Sequence, residues 1–355
     1  MANELKRQRE LDYTKTLAIF MMCIIHVFEE LSIYNMETSL PSGFAENLIQ
    51  FAAGPLGAPM FIFATGVGMV FSRNQEPGKI FQRGVSLFLL GVLLNICRDV
   101  IPRLIVWFIS GTFQGWEEYH YQLFNVDVLH FAGLAFILTA LFRKKGLPPL
   151  AVLPIAVAMQ AVGNWLSLVT EPKGIWEVLL SFFYYTGDLS CFSLLPWYLS
   201  LAIGVACGTL MQTYADDPDK LHRGFFLTSF CCLLGLLCAC YFNNVDVRVF
   251  YALHENLLYR QTFFNFLYNI FNILLLLSAV HFIIIKKVPM GYSFFNFCGT
   301  NLTKIYIIQW MIIGWMTSFQ GYLHIEPNFN ESILLGIGIA LVSMGISKLL
   351  PALKL

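Results

Sequence analysis

The sequence predicts an all-α polytopic membrane protein, a single bundle of about ten transmembrane helices with both termini cytoplasmic. Three observations predict it: the composition, the length of the apolar runs and the placement of the basic residues. Of 355 residues, 57% are hydrophobic and 12% charged, where soluble domains carry about 25% charged residues. Mean hydropathy is +0.66. The formal net charge is zero, so the balance points to no nucleic-acid or acidic partner. Crossing a bilayer takes about 20 mostly apolar residues. Runs of that order lie at 13–34, 49–72, 80–98, 123–142, 147–169, 192–213, 222–243, 263–285, 292–318 and 331–350.

The basic residues test this topology. With the N-terminus inside, sixteen of the 22 fall in cytoplasmic segments, among them Lys6, Arg7, Arg9, Lys15, Lys79, Arg83, Arg143, Lys144, Lys145 and Lys354. Five fall outside (Arg98, Arg103, Lys173, Arg248 and Arg260), and Lys304 falls within a span. That asymmetry satisfies the positive-inside rule. Three apolar pieces, Leu104–Ile109, Ile175–Tyr185 and Val247–Leu258, are too short to cross and belong at the interface or in re-entrant segments. With no repeat, low-complexity tract or soluble segment, residues 1–355 read as one integral-membrane domain.

The first apolar run follows basic residues without a small-residue cleavage site, which makes it an uncleaved span. The nine cysteines lie mostly inside apolar runs without C-x-x-C spacing; they read as free thiols, with no metal site among them. Gly204-Val-Ala-Cys-Gly208, Gly66-Val-Gly68 and Gly336-Ile-Gly338 permit close helix approach.

Polar residues inside the spans carry the functional signal. Asp12, Lys15 and His26 are spaced 3 and 11 residues apart, which at about 3.6 residues per turn puts them on one helix face. An ionisable group within a span is costly and is a functional candidate by default. His26 lies about 12 Å and His130 about 10 Å below the outer face, counted along their helices. Asn95, Arg98 and Asp127 fall toward the same half, Asn301 and Lys304 toward the middle, and Gln309 in the outer half. Each one singly also fits an interhelical hydrogen bond or an interfacial position. His120, His222, His254, His281 and His324 receive no role. A His base has the pKa that deprotonation of an acyl acceptor near neutral pH requires; an imidazole could also act as nucleophile.

Around these residues the sequence resembles the membrane acyltransferase superfamily. Asp12-x-x-Lys15-x10-His26 resembles the first span of acyltransferase family three. Gly54-Pro-Leu-Gly-Ala-Pro-Met-Phe61 through Gly68, Lys79-Ile-Phe-Gln-Arg83-Gly, Val126-Asp-Val-Leu-His130-Phe-Ala-Gly133, Leu195-Pro-Trp197 and Phe297-Cys-Gly299-Thr-Asn301 through Tyr306 to Gln309-Trp resemble the related heparan-α-glucosaminide N-acetyltransferase-like proteins. Two departures stand out. Lys15 replaces the usual Arg, losing its bidentate fork, and Gln309 stands where many relatives have His. In the heparan-acetylating branch the position of His26 can be Asn.

The resemblance implies acyl transfer, usually of acetyl, from cytoplasmic acyl-CoA to a hydroxyl or amine of a sugar or other glycoconjugate on the far side. It implies catalytic roles for His26, Asp127 and His130, with Asn95, Arg98, Asn301 and Gln309 as supporting polar groups. It also implies donor binding by Asp12, Lys15, Lys79, Arg83, Arg143, Lys144 and Lys145, as cation–phosphate pairs; for the basic cluster, topology control serves equally well. The expected partners are acetyl-CoA or another acyl-CoA as co-substrate, a glycan or amino-sugar acceptor and membrane lipid, without nucleic acid or bound cofactor, and with room for a homo-oligomer. The expected location is a bacterial plasma (inner) membrane. A second class is a small-solute or lipid-linked-sugar transporter or flippase, which calls for inverted repeats and broken spans in matching halves. A third makes His26 and His130 axial haem ligands.

Overall fold

The computed structural model describes residues 8–34, 36, 38–111, 122–187, 189–287 and 291–351. Lys6, Arg7, His120 and Lys354 lie outside the described residues. Among those described, the chain is helical and nine helical segments are long and apolar enough to cross a membrane. The protein is a polytopic membrane protein.

The first helix, α1 (Arg9–Glu30), contains no Gly or Pro and carries Glu10 and Asp12 in its first turn, where acids complement the helix dipole. Its most apolar window is 72% buried inside the bundle, against 17% for α7 (Pro149–Val169) and α10 (Pro218–Phe242). The polar stripe of α1 is therefore interior, while α7 and α10 form the rim. The second span is two helices, α2 (Phe44–Ala53) and α3 (Ala58–Val70), broken at Gly54-Pro-Leu-Gly57. A Cβ on Gly57 would lie 2.1 Å from the Ala53 carbonyl oxygen, so only glycine closes this joint.

One expectation is corrected in the third span. The stretch Leu104–Ile109 is no separate interfacial piece, because α4 (Pro77–Asn95) runs through a π turn at Ile96–Val100 directly into α5 (Ile101–Ser110). The wide turn accommodates Pro102, which lacks the N–H that an unbroken α-helix needs, and it turns Arg98 into the protein, where it is 4% exposed. The next helices are α6 (Val128–Lys144), α7, the short α8 (Ile175–Ser181), α9 (Leu194–Thr213), α10 and α11 (Phe263–Ala279). Helix α11 continues through a second π turn at Val280–Ile285. As expected of pieces too short to span, 175–185 and 247–258 form only short helices and turns.

The segment 292–318 also differs from a single straight span. It divides at Asn301 into α12 (Tyr292–Thr300) and α13 (Leu302–Ser318). Helix α12 packs across the first turn of α1: a Cβ on Gly299 would lie 2.1 Å from Asp12 Oδ1, and the Tyr292 hydroxyl donates to Asp12 at 2.7 Å. Lys304 accordingly sits at a helix end and not at mid-depth. Its Nζ donates to the Leu350 carbonyl at 3.1 Å, just past α14 (Phe329–Leu349), where the final carbonyls have no helical partner. These contacts bring the first turn of α1 and the end of α14 to the same side of the bundle.

Packing follows the small residues in part. Gly66 on α3 and Gly204 on α9 face each other, and a Cβ on either would lie 2.2 Å from a backbone oxygen of the other helix. Gly208 and Gly336 are also tightly packed, whereas Gly68 and Gly338 face open space.

Candidate active site

At the end of α1 opposite Arg9, the helices enclose a cavity of about 240 Å³. His26, Glu29 and Glu30 line it from α1, and Arg98 and Asp99 from the π turn. Asp127 comes from the start of α6, Tyr306 and Trp310 from α13, and Ser190, Cys191 and Tyr259 from the loops that cover it.

The His26 Nδ1 is 2.8 Å from Glu29 Oε2, one helical turn away. The other Glu29 oxygen accepts from the Tyr259 hydroxyl at 2.8 Å. A carboxylate on Nδ1 fixes the proton there and leaves Nε2 as a lone pair. The Nε2 atom is buried and has no hydrogen-bond partner among the described residues. The ring lies on Trp310, with centroids 4.1 Å apart, and the Arg98 guanidinium sits 4.3 Å from the same indole.

Arg98 is the electrostatic hub of the opposite wall. It donates through Nε to Asp99 at 2.8 Å and through an Nη to Asp127 at 2.7 Å. The Tyr306 hydroxyl donates to the other Asp127 oxygen. Asp127 and Arg98 are each 4% exposed; a buried pair holds its charge only with such hydrogen bonds around it. Four carboxylates, Glu29, Glu30, Asp99 and Asp127, line the cavity with the one guanidinium of Arg98, so acidic groups outnumber cationic ones there.

The structure sorts the expected residues. It brings His26, Arg98 and Asp127 to one cavity. His130 is set behind Asp127: its Nδ1 accepts the Asp127 N–H at 3.2 Å, and its ring packs between Phe88, Phe182 and the face of Gly91. That imidazole caps α6 and fixes Asp127, and it is 1% exposed. Asn95 donates to the carbonyls of Leu123 and Asn125, holding the approach to Asp127. Gln309 accepts from Cys23 within the packed interface of α1 and α13. Asn301 bonds the Phe297 carbonyl at the α12–α13 break.

The residues expected at the donor divide among several places. Lys79 and Arg83 line a cavity of about 360 Å³ with Ser72 and Asn74. Lys79 is also 3.2 Å from Glu76. Arg143 reaches that loop through Gln75, and also lines a separate cavity of about 220 Å³ beside Tyr198. Lys144 and Lys145 are exposed at the end of α6. Asp12 is 3% exposed and is engaged by Tyr292, while Lys15 is half-buried one turn on.

Sequence reasoning gave no role to Glu29, Tyr259, Tyr306 or Trp310. For Glu29 a signal existed, since an acid three residues after a His on a helix lies within reach. Tyr259 is 230 residues from Glu29 in the chain and no local pattern marks it.

The family model of heparan-alpha-glucosaminide N-acetyltransferase, catalytic, matches residues 7–236, well over half of the chain. A comparison with curated proteins finds no match. The matched part carries His26, Glu29, Arg98 and Asp127, and the sequence resemblance noted in the first spans falls within it. The chain belongs to the heparan-α-glucosaminide N-acetyltransferase catalytic family, a membrane acyltransferase-like family that implies acetyl transfer to amino sugars with acetyl-CoA as donor.

Proposed function

We propose that the protein transfers an acetyl group from cytoplasmic acetyl-CoA to the amine of an amino sugar on the opposite side of the membrane, with His26 as general base. The observation that carries this reading is the His26–Glu29 pair. Nδ1 is held by a carboxylate, and Nε2 is buried without a partner at the wall of a cavity. That is the arrangement a base needs before its substrate arrives.

The acidity of the cavity favours an amine over a hydroxyl acceptor. Its carboxylates attract the ammonium form. The ammonium first gives one proton to solvent through the cavity carboxylates; the neutral nitrogen then attacks the thioester carbonyl carbon, and His26 Nε2 takes the proton that the forming ammonium must shed. The carbon–sulfur bond then breaks, and the proton on His26 passes to the departing CoA thiolate. Arg98, held by Asp99 and Asp127, supplies positive charge to the transient oxyanion. Glu29 stabilises the imidazolium between the two proton transfers. Lys15 lies about 16 Å down the same helix, at the end where the donor's phosphates enter, whereas Lys79, Arg83 and Arg143 line cavities that Lys15 does not share. His130 acts on the reaction through Asp127, as a positioning residue.

The matched segment ends at residue 236, whereas Tyr259, Tyr306 and Trp310 come from beyond it. We therefore treat residues 1–355 as one functional unit. The test is purified protein with acetyl-labelled acetyl-CoA and paired acceptors, one with a free amino sugar and one already N-acetylated. The expected result is label on the free amine alone. Label on both acceptors would place the transfer on a hydroxyl. Binding and movement of a sugar across vesicles without turnover would instead make this a transporter.

A further inference from the structure

A second cluster of titratable groups lies at the other end of α1, away from the cavity just described. Glu10 on α1, His222 on α10 and His281 in the π turn after α11 are all buried. One ligand atom from each lies within 4.8 Å of the others. His281 Nδ1 is 2.7 Å from Glu10 Oε1, and His222 Nε2 is 3.9 Å from the same oxygen. The acetyl-transfer chemistry uses none of these groups.

Two observations distinguish this cluster from an ordinary hydrogen-bonded patch. His222 is 2% exposed, its Nδ1 has no partner among the described residues, and its Nε2 stands beyond hydrogen-bond reach of Glu10. A buried imidazole nitrogen without a hydrogen bond is costly. In addition, His281 points its second nitrogen at a carboxylate, with Nε2 3.0 Å from Asp219, which Lys286 pairs in turn. A histidine that ligates a metal through one nitrogen nearly always gives its other N–H to such a carboxylate. The π turn at Val280–Ile285 is what turns His281 inward beside His222, with ring centroids 4.1 Å apart and planes 13° from parallel.

We propose that Glu10, His222 and His281 form a binding site for a divalent transition-metal cation of the zinc class, with Asp219 orienting His281. Two imidazoles and one carboxylate match the preference of zinc, cobalt and nickel over magnesium or calcium. Ligands around a four-coordinate zinc with bonds of 2.0–2.1 Å stand about 3.3 Å apart. The Glu10–His281 pair must open by about 0.6 Å and the Glu10–His222 pair must close by as much; because the two rings are stacked and a metal lies in the plane of each imidazole that binds it, the His222 ring must also rotate out of the stack to aim its nitrogen at the ion. On binding, the proton that Nδ1 of His281 shares with Glu10 leaves to solvent. Glu10, His222 and His281 line a cavity of about 570 Å³ together with Arg9, Tyr214 and Tyr292, which gives the ion a path in and a place for a water ligand. Such a site would fasten the first turn of α1 to α10 and α11 by one ion.

The test uses untagged, chelator-stripped full-length protein in detergent. Zinc and magnesium are titrated separately by calorimetry, cobalt is followed by its visible absorption, and melting temperature is recorded with each. The expected result is one zinc per chain, a cobalt spectrum of low coordination number, and a melting temperature that rises with zinc and not with magnesium. His222→Gln should abolish stoichiometric binding, and Asp219→Asn should weaken it about 10–100-fold. Asp219 is only one-third exposed, at the helix start, and its amide keeps the shape, so that variant remains folded if His222→Gln does not. Absence of saturable zinc binding by the wild type, or equal binding by wild type and Asp219→Asn, overturns the proposal.

Discussion

Replacing Glu29 by Gln isolates the part of the reaction that depends on the charge behind His26. Glu29 takes two hydrogen bonds, from His26 Nδ1 at 2.8 Å and from the Tyr259 hydroxyl at 2.8 Å. A glutamine keeps the length and offers one oxygen to His26, while its amide nitrogen can donate to the Tyr259 hydroxyl turned around. The geometry survives, and what is lost is the negative charge facing the imidazolium that forms when Nε2 takes the proton. A hydrogen bond to a charged group contributes about 1.5–3 kcal/mol, and each 1.36 kcal/mol is a factor of ten in rate. The expected loss in single-turnover rate is therefore about 10–150-fold, with acetyl-CoA binding unchanged because the donor's phosphates bind three turns away. Rapid-quench measurement of acetyl transfer at saturating donor gives the rate directly. The double variant His26→Ala with Glu29→Gln should be no slower than His26→Ala alone, because the carboxylate has no role once the imidazole is gone. A Glu29→Gln rate within twofold of wild type, or losses that multiply in the double variant, would refute the reasoning.

His26→Ala should lower turnover by about 10²–10⁴-fold, with membrane insertion and thermal stability near wild type; retention of most acetyl-CoA-dependent activity would make His26 a packing residue. His130→Ala removes the acceptor of the Asp127 N–H and should cost about 1–3 kcal/mol of stability. Melting temperature and turnover per folded molecule, measured on one preparation, check this, and a large loss of turnover in fully folded protein would show that His130 does more than hold Asp127. Lys15→Glu should raise the apparent KM for acetyl-CoA about tenfold or more through loss of a charge-assisted contact, leaving the acceptor KM in place; the reverse pattern would invert the proposed orientation of the two substrates.

Composition and run length alone determine that this chain is a helical membrane protein, because backbone groups in lipid must be satisfied within each segment and each crossing needs its own apolar run. The sequence likewise determines which residues share a face of α1, since Asp12, Lys15 and His26 follow the helical repeat. It marks one tight crossing as well, at Gly66 and Gly204. What periodicity cannot state is the partner that each face meets. The π turn that brings Arg98 to Asp127, and the break at Asn301 that moves Lys304 to a helix end, are departures from the ideal helix whose sites no repeat announces. The surroundings of the two histidines were decided at this level too. His26 and His130 both read as buried imidazoles at similar depth, yet one presents a bare nitrogen to a cavity and the other spends its nitrogen on a backbone N–H. The Tyr259–Glu29 bond spans 230 residues of chain, and the Tyr306–Asp127 bond spans 179. In a membrane, where lipid is as apolar as a helix face, such contacts are chosen by close packing and hydrogen bonding between helices and not by the hydrophobic pattern along them; only the assembled bundle selects them.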